Sequence, residues 1–160
     1  MLTADRLRHV LAYSEETGDF TWKNPSGPRA RVGDRAGSAT QGYINISIDG
    51  KLYRAHRLAW LYAYGAWPSL YLDHINGCGT DNRLENLREA SQSQNMANSK
   101  LRSDCASGFK GVTKYRSRWV ATIAKSGRKI HLGVFDTPEE AHAMYLNAAK
   151  AVHGEFARAA

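Results

Sequence analysis

At 160 residues, 42% hydrophobic and 23% charged, the chain has the make-up of a folded globular protein, neither a disordered polymer nor a membrane-spanning one. No apolar stretch approaches bilayer length, and Met1 to Phe20 mixes charged with apolar positions, so no secretory segment is read and an intracellular protein is expected. A formal charge of +7 asks for an anionic partner, and its distribution is uneven: residues 1–95 hold 11 Lys/Arg against 10 Asp/Glu, residues 96–160 hold 11 against 5.

Leu2 to Tyr13 reads as a short amphipathic helix capped by Thr3, with Leu7, Val10 and Leu11 on one face. Glu16 to Asp19 is a turn, Phe20-Thr21-Trp22 a strand, and Asn24 to Gly37 a loop whose Arg29, Arg31 and Arg35 are either phosphate contacts or, by default, solvated charges. Gly42 to Ile48 alternates Tyr43, Asn45 and Ser47 against Ile44, Ile46 and Ile48, and Asp49-Gly50 turns it into Lys51 to Arg54 as a hairpin. His56 to Tyr64 is an apolar helix ending near Gly65, and its Leu58, Trp60, Leu61 and Tyr64 are read as core.

Tyr71 to Ile75 is expected as a strand and Leu87 to Ala90 as its partner. Period-two geometry puts Asp73 and His74 on opposite faces of a regular strand, so one site can use both only where the strand ends, and Asn76-Gly77 supplies that ending. Ser91-x-x-Gln94 is a capping box that opens a helix with Asn95 in its first turn. The polar, small residues from Asn98 to Gly108 read as a linker.

A different unit follows, with strands starting at Gly111-Val112, over Trp119 to Ile123 and over Ile130 to Phe135, the last two joined by a Ser126-Gly127 turn. Thr137-Pro138-Glu139-Glu140 combines cap, proline and capping-box glutamate at a helix start. Ala141, Met144, Tyr145, Ala148 and Val152 then give one helical face to lie on the sheet.

The chemistry concentrates between Asp73 and Asn95. Asp73 and Asn95 are hard oxygen donors of the kind Mg²⁺ or Mn²⁺ takes, His74 is neutral enough near pH 7 to accept a proton from water, and Asn86 can fix the imidazole tautomer. Each alone has a bland reading: a turn, a surface pair, a loop entry. Together, with Asp81-Asn82-Arg83 between them and His56-Arg57-Leu58-Ala59-Trp60 upstream, Asp73-His74-Ile75-Asn76-Gly77, Asn86-Leu87-Arg88 and Asn95 resemble the HNH nucleases, in the phage and homing-endonuclease branch. That resemblance implies His74 as general base, Asn86 as its orienting residue, and Asp73 and Asn95 as holders of one divalent ion per chain, Mg²⁺ or Mn²⁺. Cys78 and Cys105 are far apart and lack the four-ligand pattern of a structural zinc, so none is expected.

The C-terminal segments Lys110-Gly111-Val112, Arg118-Trp119-Val120-Ala121 and His131 to Phe135, the run from Thr137 to Ala149 and the tail Gly154-Glu155-Phe156 resemble the plant ethylene-response-factor (Apetala-type) DNA-binding domain. In that family the sheet lies in the major groove. Alternation puts Ala121, Ile123, Ile130 and Leu132 inward, leaving Lys110, Thr113, Arg116, Arg118, Thr122, Lys129 and His131 for a DNA face. The plant domains carry more arginine, and a tryptophan, where this chain has residues such as Thr122, Ala124 and His131, so no target sequence transfers.

The expected fold class is α+β: an N-terminal hairpin and helix with a ββα-metal core, then a three-stranded antiparallel sheet on one helix. The expected domains are 1–98 (nuclease motif about 70–98), a linker over 99–108, and 109–160. The function the resemblances imply is a metal-dependent DNA endonuclease that leaves 5′-phosphate and 3′-hydroxyl ends, acting on double-stranded DNA in the cytoplasm of a bacterium or phage-infected host. One site per chain implies a nick by a monomer or weak homodimer, and a double-strand break needs two chains or two visits. The alternative is a catalytically silent DNA-binding regulator built from the same two domains.

Overall fold

The computed structural model describes all residues except 26, 28, 102–104, 126 and 159–160, so Ser126 of the expected turn lies outside the described residues. The chain forms two compact units, Met1–Glu89 and Ala90–Ala160.

The first unit opens with helix α1, Ala4–Val10, whose N-cap Thr3 accepts from the Arg6 N–H. The sequence suggests helix as far as Tyr13, but the structure ends it at Val10 and extends Leu11–Tyr13 as strand β1, antiparallel to β2, Phe20–Trp22. Leu7, Val10 and Leu11 suit one helical face, yet the pairing partner nine residues on wins the last three positions, a tertiary choice over local spacing. Strands β3 (Ser38–Thr40), β4 (Tyr43–Ile48) and β5 (Lys51–Arg54) make a meander, with Asp49 and Gly50 both at positive φ in the expected turn. Helix α2, Ala55–Tyr64, closes on Gly65 in the left-handed conformation. Leu7, Leu11, Ile46 and Leu58 are fully buried where α1, the β1–β2 hairpin, the meander and α2 meet. Strand β6, Tyr71–His74, pairs with β7, Leu87–Ala90.

The second unit contains α3, Gln92–Asn98, held at its start by a complete Ser91/Gln94 capping box. Strands β8 (Val112–Tyr115), β9 (Arg118–Lys125) and β10 (Arg128–Phe135) form an antiparallel sheet with β9 in the middle, and α4, Pro138–His153, packs on it. Its cap is the expected one, Thr137 with Glu140. The buried positions of α4 are Ala141, Tyr145 and Ala149, one turn apart; Met144, expected on that face, is 41% exposed at its flank. Gly111 has positive φ, and a Cβ there would run into the Tyr145 ring, which is why a glycine precedes β8. Among the described residues no helix is long and apolar enough to cross a membrane.

Candidate functional site

Strand β6 stops at His74, where the sequence places its end: the chain turns through Ile75, Asn76 and Gly77, the last at φ 66°, and the Gly77 N–H bonds the His74 carbonyl at 2.8 Å. Both side chains are buried, at 4% and 6% exposure. The Asp73 carboxylate accepts from the Arg88 guanidinium Nε at 3.0 Å across the β6–β7 pair. A buried carboxylate demands positive charge nearby, and Arg88 provides it.

The His74 imidazole is enclosed by three other groups. Its Nε2 lies 3.3 Å from the Asn82 side-chain oxygen, which fixes Nε2 as the donor in the neutral ring. The His56 ring meets it edge to face at 4.9 Å, and the Tyr43 ring lies 5.9 Å away. Burial holds the His74 pKa below its ordinary value, opposed by the Asn82 contact and the nearby Asp73 and Asp81, so the ring is neutral at pH 7. His56 is pushed further, to about 3, by burial first and then by His74, Arg54 and Arg57. Its Nδ1 has no hydrogen-bond partner among the described residues.

Asn82, almost wholly buried, is fixed from the N-terminal hairpin: the Tyr13 hydroxyl donates to its carbonyl at 2.8 Å. Gly18, at φ 74°, brings the turn of that hairpin so close that a Cβ would fall 2.5 Å from the Arg83 nitrogen. Burial raises the Tyr13 pKa to about 12, so this donor stays protonated. The β1–β2 hairpin thus carries Asn82 to the imidazole.

Asn86 does different work. Its amide nitrogen donates to the Asp81 carbonyl at 2.8 Å and to the Asn76 side-chain oxygen at 3.1 Å, while its oxygen accepts from the Asn76 N–H at 3.0 Å. It staples the ends of the loop between β6 and β7. Asp81 in that loop is bonded by Arg83, which lowers its pKa to about 2. The ring contact expected of Asn86 is made by Asn82, a residue that the sequence offered only as supporting context. A buried Asn four residues before a second one, in a polar loop, is a signal that pattern reading does not rank.

Two predictions separate these carboxamides. Asn86→Ala removes three loop bonds and is expected to cost about 2–3 kcal/mol of stability, on the scale of buried bonds lost together. Asn82→Ala frees the imidazole and, for the strand cleavage that the nuclease resemblance implies, is expected to slow the reaction about tenfold, the scale of an outer partner of a functional histidine. Thermal unfolding and initial cleavage rates, measured side by side, check both; equal losses on the two scales would merge the roles.

Asn95 stands in the first turn of α3, half-buried, its N–H bonded to the Ser91 carbonyl at 3.0 Å, and it belongs to the second unit. Among the described residues no three His, Cys, Asp or Glu side chains form a metal-ligand group. One buried carboxylate with carboxamide oxygens is a donor set of another kind. It fits a hard divalent ion that keeps waters and takes further oxygens from a phosphate, and it does not fit zinc.

Of the residues expected on a DNA face, the register puts Thr113, Arg118, Thr122, Lys129 and His131 on the same side of the sheet, opposite the Val112, Ala121 and Ile123 side that meets α4. The register shift between His131 and Gly133 leaves Leu132 as an extra residue turned into the core. Ile130, expected inward, is 41% exposed, because it sits on edge strand β10. Arg116 occupies the β8–β9 turn at φ 55° over the Tyr115 ring. Lys110 does not join that face: its Nζ donates to the Ala97 and Ser99 carbonyls at the C-terminal end of α3, and burial lowers its pKa. Arg118 is paired with Asp136 at 2.9 Å.

Residues 53–97 match the HNH endonuclease family model. The chain is 33% identical over 111 residues to Protein 3.8 of Escherichia phage T7, a match that covers 68% of this chain and 91% of that protein. It is 32% identical over 115 residues to the uncharacterized HNH endonuclease L560 of Acanthamoeba polyphaga mimivirus, covering 70% of this chain and 59% of that protein. No solved structure matches significantly.

Proposed function

The chain carries an HNH endonuclease domain over residues 53–97, and on that premise we propose that it is a metal-dependent endonuclease that nicks double-stranded DNA. The observation that carries the reading is the buried Asp73–His74 pair at the end of β6, its imidazole neutral and fixed by Asn82, inside the segment that matches the family. His74 takes a proton from the attacking water. The new P–O bond forms in line as the bond to the 3′ oxygen breaks, that oxygen takes a proton from a water molecule, and His74 returns its own proton to solvent, giving 5′-phosphate and 3′-hydroxyl ends. Asp73 and Asn95 are the residues proposed to hold one divalent ion, Mg²⁺ or Mn²⁺. When bound, it supplies positive charge at the scissile phosphate and the departing oxygen. Asn82 keeps the ring in one tautomer, and His56 and Tyr43 wall it off from bulk water.

Domain roles follow the same proposal: residues 1–98 cut, 99–108 link, and 109–160 bind DNA through an Apetala-type sheet. The working form is a monomer or weak homodimer in the cytoplasm of a bacterial or phage-infected cell. The test is conversion of supercoiled plasmid to open circles with Mg²⁺ or Mn²⁺ present and with chelator added; a parent protein that leaves plasmid supercoiled in both metals would overturn the reading.

For the sheet, each lost phosphate contact is expected to flatten the log–log salt dependence of DNA binding by about one unit. Lys129→Glu is expected to show this in full. Arg118→Glu should show less, because Asp136 already neutralises part of that charge. Affinity titrations across a salt series check both, and slopes superimposable on the parent's would remove the sheet from DNA.

A further inference from the structure

The first turn of α2 is built against its own electrostatics. The amide end of a helix carries partial positive charge and is normally capped by Ser, Thr, Asp or Asn with acids in the first turn. Here the N-cap is Arg54, which makes no side-chain capping bond, the first turn holds no acid, and Arg57 adds a second cation. Neither arginine has a carboxylate partner among the described residues, whereas Arg6, Arg8, Arg35, Arg83 and Arg88 in the same unit each do.

Two further observations point to what is missing. The Arg54 guanidinium lies over the Tyr43 ring, 4.5 Å from its centroid, and its Nη1 is buried without a hydrogen-bond partner among the described residues. His56, nine-tenths buried in the same helical turn, likewise leaves Nδ1 unanswered. Tyr43 is itself held: a Cβ at Gly79 would fall 2.7 Å from its ring, so the loop backbone presses against it. The same ring contacts both His56 and His74. A guanidinium oriented by an aromatic face, without a carboxylate, at the positive end of a helix, is complementary to a tetrahedral oxyanion.

We propose that the start of α2, with Arg54 on its Tyr43 platform, is a binding site for a backbone phosphate of the DNA strand being cut. The site stands one aromatic ring away from the His74 imidazole, which suits a phosphate neighbouring the scissile one. Only the identity of the anion rests on the nuclease reading; the unanswered cationic helix start does not.

The experiment uses the full chain and a labelled DNA duplex in chelator, so that binding is read without cleavage, with plasmid nicking in Mg²⁺ measured in parallel. Arg54→Gln is expected to weaken duplex binding at least about fivefold near physiological salt and to flatten the log–log salt slope by about one unit. In nicking assays it should raise the DNA concentration needed for half-maximal rate more than it lowers the maximal rate. Arg54→Lys, which keeps the charge and loses the fork, should keep the slope and lose only part of the affinity, and it serves as the readout if the glutamine variant does not fold. Parent-like affinity and slope in Arg54→Gln, or equal loss of slope in Arg54→Lys, would overturn the proposal. If the parent binds DNA but never nicks it, the nuclease reading fails while the binding comparison still decides this one.

Discussion

His74→Ala should lower plasmid nicking at least about a hundredfold while changing duplex affinity little. The size of the effect follows from what the ring is given in this site. Burial leaves a neutral imidazole, and the Asn82 contact commits its Nε2 as the donor. Alanine removes the imidazole that His56, Tyr43 and Asn82 enclose. The fold should tolerate the change, since the β6–β7 pair and the Asn86 loop bonds do not use the imidazole. Nicking by the variant at the parent's rate, with metal and DNA saturating, would remove His74 from the chemistry.

What was legible in the sequence was local. Thr137-Pro138-Glu139-Glu140 and Ser91-x-x-Gln94 carry their helix starts in four residues each, and both capping boxes form. Asp49-Gly50 encodes a turn, and Asn76-Gly77 encodes the end of the strand that carries Asp73 and His74. What escaped depends on partners distant in the chain. Leu11 to Tyr13 leaves the helix because Phe20 to Trp22 pairs with it. Ser38–Thr40 is a strand only because Tyr43–Asn45 lies beside it.

The site divides in the same way. Asp73, His74 and Asn86 stand out by their spacing, and all three are buried around the β6–β7 loop. Asn82 reaches the imidazole because a tyrosine 69 residues earlier holds its carbonyl. His56 reads as one polar residue in an apolar helix, yet its ring closes over His74. Lys110 reads as a free cation, yet it is spent on the carbonyls that end α3. Charge and pattern indicate what a residue is able to do; only the packing indicates which of those things it has already done.

That packing makes His56 the largest single source of acid sensitivity expected in the first unit. Its pKa falls from 6.5 in the unfolded chain to about 3 in the fold, because burial and the neighbouring His74, Arg54 and Arg57 all oppose a proton there. Above pH 6.5 the ring is neutral in both states and contributes no slope. Between pH 6.5 and about 3 the unfolded chain binds a proton that the folded one refuses, so stability drops as pH falls, by up to about 1.4 kcal/mol per unit and about 5 kcal/mol in all. Below about 3 both states are protonated and the term is spent. His74, shifted in the same direction, adds to the decline, as do the carboxylates whose pKa values are lowered in the fold, Asp81 at about 2 among them. Those contributions are shared by a His56→Phe variant, whose ring can keep the packing against Tyr43 and His74. Denaturant unfolding of parent and variant from pH 7.5 to 4 isolates the difference: the curves should meet near pH 7 and separate below 6, with the variant the more stable. Curves that stay parallel across that range would mean that His56 is protonated inside the fold and that its burial costs nothing.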